Sequence, residues 1–128
     1  MRLSVMLFSL VAVIIPFASH AAEADVVNVE VKAMSNRLYQ FEVTVSHPDE
    51  GWDHYVDKWD VVAPDGSVLG SRTLFHPHEN EQPFTRNLAG VKVPVGVNEV
   101  TLRAHDSVDG YGGKTITVVL PGSVQAGR

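Results

Sequence analysis

Apolar and polar residues alternate along short segments through most of the chain, and turn-forming residues separate these segments. Val27, Val29 and Val31 alternate with polar neighbours, and the same period of two recurs further along. Because successive side chains of a strand point to opposite faces, this pattern predicts strands with one buried face. Turn residues such as Asp65-Gly66 interrupt it. The predicted strands are residues 27–33, 39–45, 55–63, 67–75, 84–93, 100–105 and 116–120.

Seven short strands, with no helical period outside the first residues, predict an all-β domain: an immunoglobulin-like antiparallel β-sandwich. The first 21 residues combine Arg2, an apolar run and a small-residue exit at Ser19-His20-Ala21, the layout of a secretory signal peptide. We therefore expect cleavage after Ala21, one sandwich domain at residues 22–121 and a flexible tail at residues 122–128. This layout predicts a periplasmic or secreted protein with no membrane attachment after cleavage.

The charge balance and the absence of cysteine narrow the expected partners. The chain has 15 acidic and 10 basic residues and a net charge of −5, whereas nucleic acids and anionic membranes bind basic faces. We expect neither as a partner. With no cysteine in the sequence, thiolate nucleophiles, zinc–cysteine sites and the blue-copper ligand set are excluded.

Five histidines are predicted to lie at one end of the sandwich. If each strand reverses direction, the loops at residues 46–54, 76–83 and 105–113 share that end, and they carry the histidines. Three or four imidazoles that meet at one point suit iron, zinc or copper, and nearby carboxylates can complete the ligand shell. The candidate metal ligands are His47, His54, His76, His78, His105, Asp106 and Asp109.

The same residues also have plainer interpretations. Histidine is a common polar residue of loops, so each could be a solvated side chain without a metal. Trp52 is expected to bury an edge against the core, and Arg103, near Asp60, is expected to lie on a solvated face with weak ion pairs.

The stretch His47-Pro48-Asp49-Glu50-Gly51-Trp52-Asp53-His54-Tyr55-Val56-Asp57-Lys58-Trp59, followed by Ala63-Pro64-Asp65-Gly66, resembles the iron-binding domain of superoxide reductases of the desulfoferrodoxin and neelaredoxin group. The resemblance implies an immunoglobulin-like sandwich whose iron is held by four histidines and one cysteine, with His47 and His54 as equatorial ligands. The family's late Cys-x-x-His motif aligns with Asp106 to Asp109, so aspartates replace its cysteine and histidine here.

Three functions remain open from the sequence. The leading hypothesis is a periplasmic or secreted sandwich that binds a transition metal ion through the histidines at one end. The first alternative is an iron enzyme similar to superoxide reductase. The second is a metal-free module that binds a periplasmic protein partner through Trp52 and Tyr111.

Overall fold

The computed structural model describes residues 23–122, and the predicted signal peptide lies outside them, as does the predicted tail beyond residue 122. All seven predicted strands are present, so the all-β prediction is confirmed. A single 3₁₀ turn at Gly51–Asp53 is the helical segment of this region. The strands are β1 (Asp25–Ala33), β2 (Leu38–Ser46), β3 (Val56–Val62), β4 (Val68–Thr73), β5 (Phe84–Lys92), β6 (Glu99–Asp106) and β7 (Ile116–Val119).

The strands form two antiparallel sheets. One has the order β1-β2-β5 and the other the order β4-β3-β6-β7. A constant-type immunoglobulin domain has four strands in its first sheet and three in its second. Here the fourth strand pairs with the third instead, so the first sheet has three strands and the second has four.

The inward-facing residues of both sheets form the core that the period of two predicted. Phe41, Val43 and Val45 of β2 are fully buried and meet Trp59 of β3 and Leu102 of β6 in one hydrophobic cluster. Trp59, in the middle of β3, is therefore a core residue. No helix within residues 23–122 is long and apolar enough to cross a membrane.

Three loops lie at one end of the sandwich, as the strand reversals predicted. The pairing of Val45 with Phe84 places the end of β2 beside the start of β5. The pairing of Val56 with Asp106 places the start of β3 beside the end of β6. The loops that follow β2, β4 and β6 therefore meet; they carry His47, His54, His76 and His78, and His105 lies beside them near the end of β6.

A candidate metal centre

Two residues of the centre are inward-facing extensions of core strands. His47 continues the buried phase of Phe41, Val43 and Val45 one step past β2, and it is 1% exposed. Asp106 ends β6 in phase with Leu102 and is 0% exposed. Strand periodicity therefore aims an imidazole from one sheet and a carboxylate from the other into the same end of the core.

Three side chains converge there, those of His47, His54 and Asp106, and Asp109 joins them through His54; we call these four residues the His–Asp cluster. The Nε2 atoms of His47 and His54 lie 3.3 Å apart. His54 Nε2 is 3.1 Å from Asp106 Oδ1 and 3.2 Å from Asp109 Oδ2. His47 Nε2 is 3.9 Å from Asp106 Oδ2.

These separations fit ligands that share one ion. In a tetrahedral site with bonds of about 2.05 Å, neighbouring ligand atoms lie about 3.3 Å apart. In the described part of the chain, His47, His54 and Asp106 form the group whose ligand atoms all lie within 4.8 Å of one another. Asp106 Oδ2 is buried and has no hydrogen-bond partner among the described residues, as expected of an atom that a cation would bind.

Asp49 holds the His47 ring in place from behind. Its Oδ1 lies 2.6 Å from His47 Nδ1 and accepts a hydrogen bond from the Val56 backbone N–H, while its Oδ2 accepts one from the His78 backbone N–H. Burial of the Asp49 carboxyl tends to raise its pKa, but these hydrogen bonds outweigh burial and the pKa is lowered.

The ionised Asp49 fixes the tautomer of His47. A carboxylate can only accept, so Nδ1 carries a proton, and in the neutral form of the ring Nε2 is the nitrogen left with a lone pair for a cation. Metal-binding histidines are commonly oriented by a carboxylate in this way. Asp49 was not among the predicted site residues, although it lies in the same inward phase as His47.

A tight loop after β6 positions both aspartates. Asp106 Oδ1 accepts hydrogen bonds from the backbone N–H groups of Val108 and Asp109, at 2.9 and 2.6 Å. Asp106 and Gly110 exchange two backbone hydrogen bonds, and Gly110 has a φ of +71°, which glycine adopts readily. The loop thereby turns back and brings the Asp109 carboxylate over His54.

His105 lies outside the cluster although it adjoins Asp106 in sequence. Consecutive strand residues face opposite sides, so His105 points to the outer face of β6. Its Nδ1 lies 2.6 Å from Asp57 Oδ1. Asp57 occupies an irregularity in the β3–β6 pairing between Val56 and Lys58, and such bulges redirect side chains. Here the bulge brings Asp57 to His105.

His76 and His78 form a separate pair in the loop between β4 and β5. His76 is exposed and His78 is 6% exposed, and their ring centres lie 4.8 Å apart. Burial lowers the pKa of His78. The five histidines therefore share one end of the sandwich but divide into three groups there: His47 with His54, His76 with His78, and His105 with Asp57.

Two expectations for nearby residues are wrong. Trp52 does not bury against the core: it is 66% exposed, because the 3₁₀ turn directs it outward, where it packs edge-on against Tyr55. The face near Arg103 is not simply solvated, because Asp60 is 0% exposed. Asp60 accepts hydrogen bonds from Tyr111 at 2.6 Å and Arg103 at 3.1 Å.

Comparison with known proteins gives one informative relative. The chain is 42% identical over 96 residues to a protein of Halomicrobium mukohataei named "Putative lipoprotein". The matched region covers 75% of this chain and 47% of that protein, so the chain spans about half the length of its relative. No family model matches the chain, and no solved structure matches it.

Proposed function

We propose that this protein belongs to the cell envelope or is secreted, and that it binds one divalent transition metal ion at the His–Asp cluster. The carrying observation is the convergence of two imidazole Nε2 atoms and two carboxylates, with nitrogen and oxygen atoms 3.1 to 3.3 Å apart around His54. The buried, unpartnered Oδ2 of Asp106 supports this assignment.

The location rests on two independent observations. The first 21 residues have the layout of a secretory signal, and the Halomicrobium relative is named a lipoprotein. Both favour a protein that acts outside the cytoplasm. The relative is about twice as long as the matched region, and the proposal concerns only the part that corresponds to this region.

The donor set restricts the ion. Two neutral imidazoles with one or two carboxylates suit Zn(II), Fe(II) and Cu(II), whereas Mg(II) and Ca(II) prefer oxygen ligands alone. His47 and Asp106 are buried and would hold the ion on the core side. Asp109, with a side chain 35% exposed, would face solvent. A bound ion would supply positive charge and Lewis acidity at the rim.

The test compares His54→Ala with His105→Ala. The chelator-stripped protein is expected to bind one equivalent of Zn(II) at this cluster and to melt several degrees higher with the ion in excess. His54→Ala is expected to lose both effects. His105→Ala removes an equally polar histidine from the same end and should keep both. A His54→Ala variant that binds metal with unchanged affinity would overturn the proposal.

One observation favours a redox role as a second candidate. The four positions that the superoxide reductase resemblance places in the iron site, His47, His54, Asp106 and Asp109, are the four that converge here. Carboxylates occupy the positions where that family has a thiolate and an imidazole. A carboxylate is a harder donor than a thiolate. The test is superoxide consumption by Fe(II)-loaded protein. A rate no higher than that of free Fe(II) would remove this candidate.

A further inference from the structure

A second group of metal-binding side chains lies in an open cleft beside the His–Asp cluster. The cleft has a volume of about 430 Å³. We call it the histidine cleft, and its lining residues are Trp52, His76, Pro77, His78, Glu79, Asn80 and Glu81.

The His78 ring has unmet hydrogen-bonding capacity. It is 6% exposed, and neither Nδ1 nor Nε2 has a hydrogen-bond partner among the described residues. The nearest carboxylate oxygen, Asp49 Oδ2, is 4.0 Å from Nδ1, too far for a hydrogen bond. Buried polar atoms are almost always paired, so an unpaired imidazole on a cleft wall points to a ligand.

The His78 ring is also held rigidly. It stacks on Phe84 with ring centres 4.2 Å apart and an angle of 10° between planes. Its backbone N–H donates to Asp49 at 2.7 Å, and its carbonyl accepts from Gln82 at 2.8 Å. Ring and backbone are therefore fixed on three sides, and such preorganisation favours binding.

His76 supplies a second imidazole at a suitable distance. The two ring centres lie 4.8 Å apart with 41° between the planes. Two imidazoles that bind one ion at about 2.05 Å, with a ligand angle of about 90–110°, have ring centres about 4.5–5.2 Å apart. His76 is exposed, and its Nδ1 lies 3.2 Å from the carbonyl of the adjacent Pro77. Its ring can therefore turn toward an ion without disturbing the core.

The charge of the cleft also favours a cation. Glu79 and Glu81 both line it, and Arg86 pairs with Glu81 at 3.0 Å. This ion pair offsets the charge of Glu81, so the carboxylate of Glu79 supplies the negative charge of the lining. Imidazole nitrogen in an acidic setting binds Cu(II) most tightly among the common divalent ions, followed by Zn(II).

We propose that the histidine cleft is a second transition-metal site, separate from the His–Asp cluster, which binds Cu(II) or Zn(II) through His76 and His78 with solvent completing the shell. This inference does not depend on the proposed function, because the two sites share no ligand. Two donors in an open cleft are expected to bind more weakly than the larger and more buried donor set of the His–Asp cluster.

The test counts Cu(II) equivalents by calorimetric titration of the full, untagged, chelator-stripped chain. The double variant His76→Ala/His78→Phe keeps an aromatic ring stacked on Phe84 and removes both imidazoles. It is expected to bind one equivalent fewer than the unmodified protein, and His105→Ala is expected to bind the full number. A double variant that binds as many equivalents as the unmodified protein would overturn the proposal.

Two further variants separate this proposal from the proposed function. His76→Ala alone changes an exposed side chain. It is expected to lower the Cu(II) affinity of the histidine cleft by at least tenfold while the fold is retained. An unchanged affinity for that equivalent would count against the site. His54→Ala is expected to remove the other equivalent, so loss or survival of each site is scored independently.

Discussion

Replacement of Asp49 by asparagine tests whether this carboxylate orients His47 for metal binding. The change keeps the shape of the side chain but removes its charge and turns one acceptor oxygen into a donor NH₂. Asp49 accepts from His47 Nδ1 and from the backbone N–H groups of Val56 and His78. In Asp49→Asn at least one of these donors faces another donor.

Asp49→Asn is expected to lower both the unfolding free energy of the metal-free protein and its affinity for metal. Hydrogen bonds to charged groups contribute about 1.5–3 kcal/mol each, so the metal-free protein should lose about 2–3 kcal/mol of unfolding free energy. For a domain of about 100 residues that lowers the melting temperature by about 10–20 °C. Loss of the group that orients a metal-binding histidine typically weakens metal affinity by about 10–100-fold, or about 1.4–2.7 kcal/mol.

The assay is competition for Zn(II) with a chelator of known affinity at fixed pH, alongside thermal unfolding of the metal-free proteins. Asp53→Asn is the matched control: it makes the same chemical change in the same loop, on an exposed residue, and should leave both quantities nearly unchanged. If Asp49→Asn folds and binds Zn(II) within twofold of the unmodified protein, the assigned role of Asp49 is refuted.

Three further outcomes follow from the described contacts. Tyr111→Phe leaves the buried Asp60 without one hydrogen bond of 2.6 Å and should lower the unfolding free energy by about 1–2 kcal/mol, whereas equal urea midpoints would contradict this. Phe41→Ala opens a cavity at a fully buried position and should cost about 3–5 kcal/mol by urea unfolding, and a loss below about 1 kcal/mol would show that the core collapses around it. Burial lowers the pKa of His78 below its unfolded value of about 6.5, so its contribution to stability is present above that pH and is lost as the pH falls toward the folded pKa. Metal-free His78→Phe should lose less stability between pH 7 and pH 5 than the unmodified protein, and parallel pH profiles would exclude this contribution.

The sequence predicts the strands and the end of the sandwich that carries the histidines, because both follow from the period of two and from chain reversal. The sequence also contains a signal that identifies individual site residues. His47 and Asp106 are polar residues that continue the buried phase of β2 and β6, which marks them as inward-facing. Position in a loop alone does not distinguish His105 from Asp106, whereas strand phase places Asp106 inward and His105 outward.

The rest depends on register and on loop geometry, which the sequence pattern does not specify. The bulge at Asp57 decides that His105 has a carboxylate partner on the outer face. The 3₁₀ turn decides that Trp52 is exposed, and the return of the loop after β6 decides that Tyr111 covers Asp60. The contacts of His105 with Asp57 and of Tyr111 with Asp60 join residues about 50 positions apart in the chain.

The His–Asp cluster brings together the ends of the second and sixth strands, the two strands that a disulfide joins through the core in antibody domains. Antibody domains carry a disulfide between their second and sixth strands, and this chain has no cysteine. His47 follows β2 and Asp106 ends β6, so one ion bound to both would fasten the first sheet to the second across about 60 residues of chain. A covalent cross-link of that span stabilises a fold by about 4 kcal/mol in the chain-entropy account. A metal at this position would act as a removable cross-link, and the chain could be loosened at this end by a chelator where a disulfide-bonded domain requires a reductant.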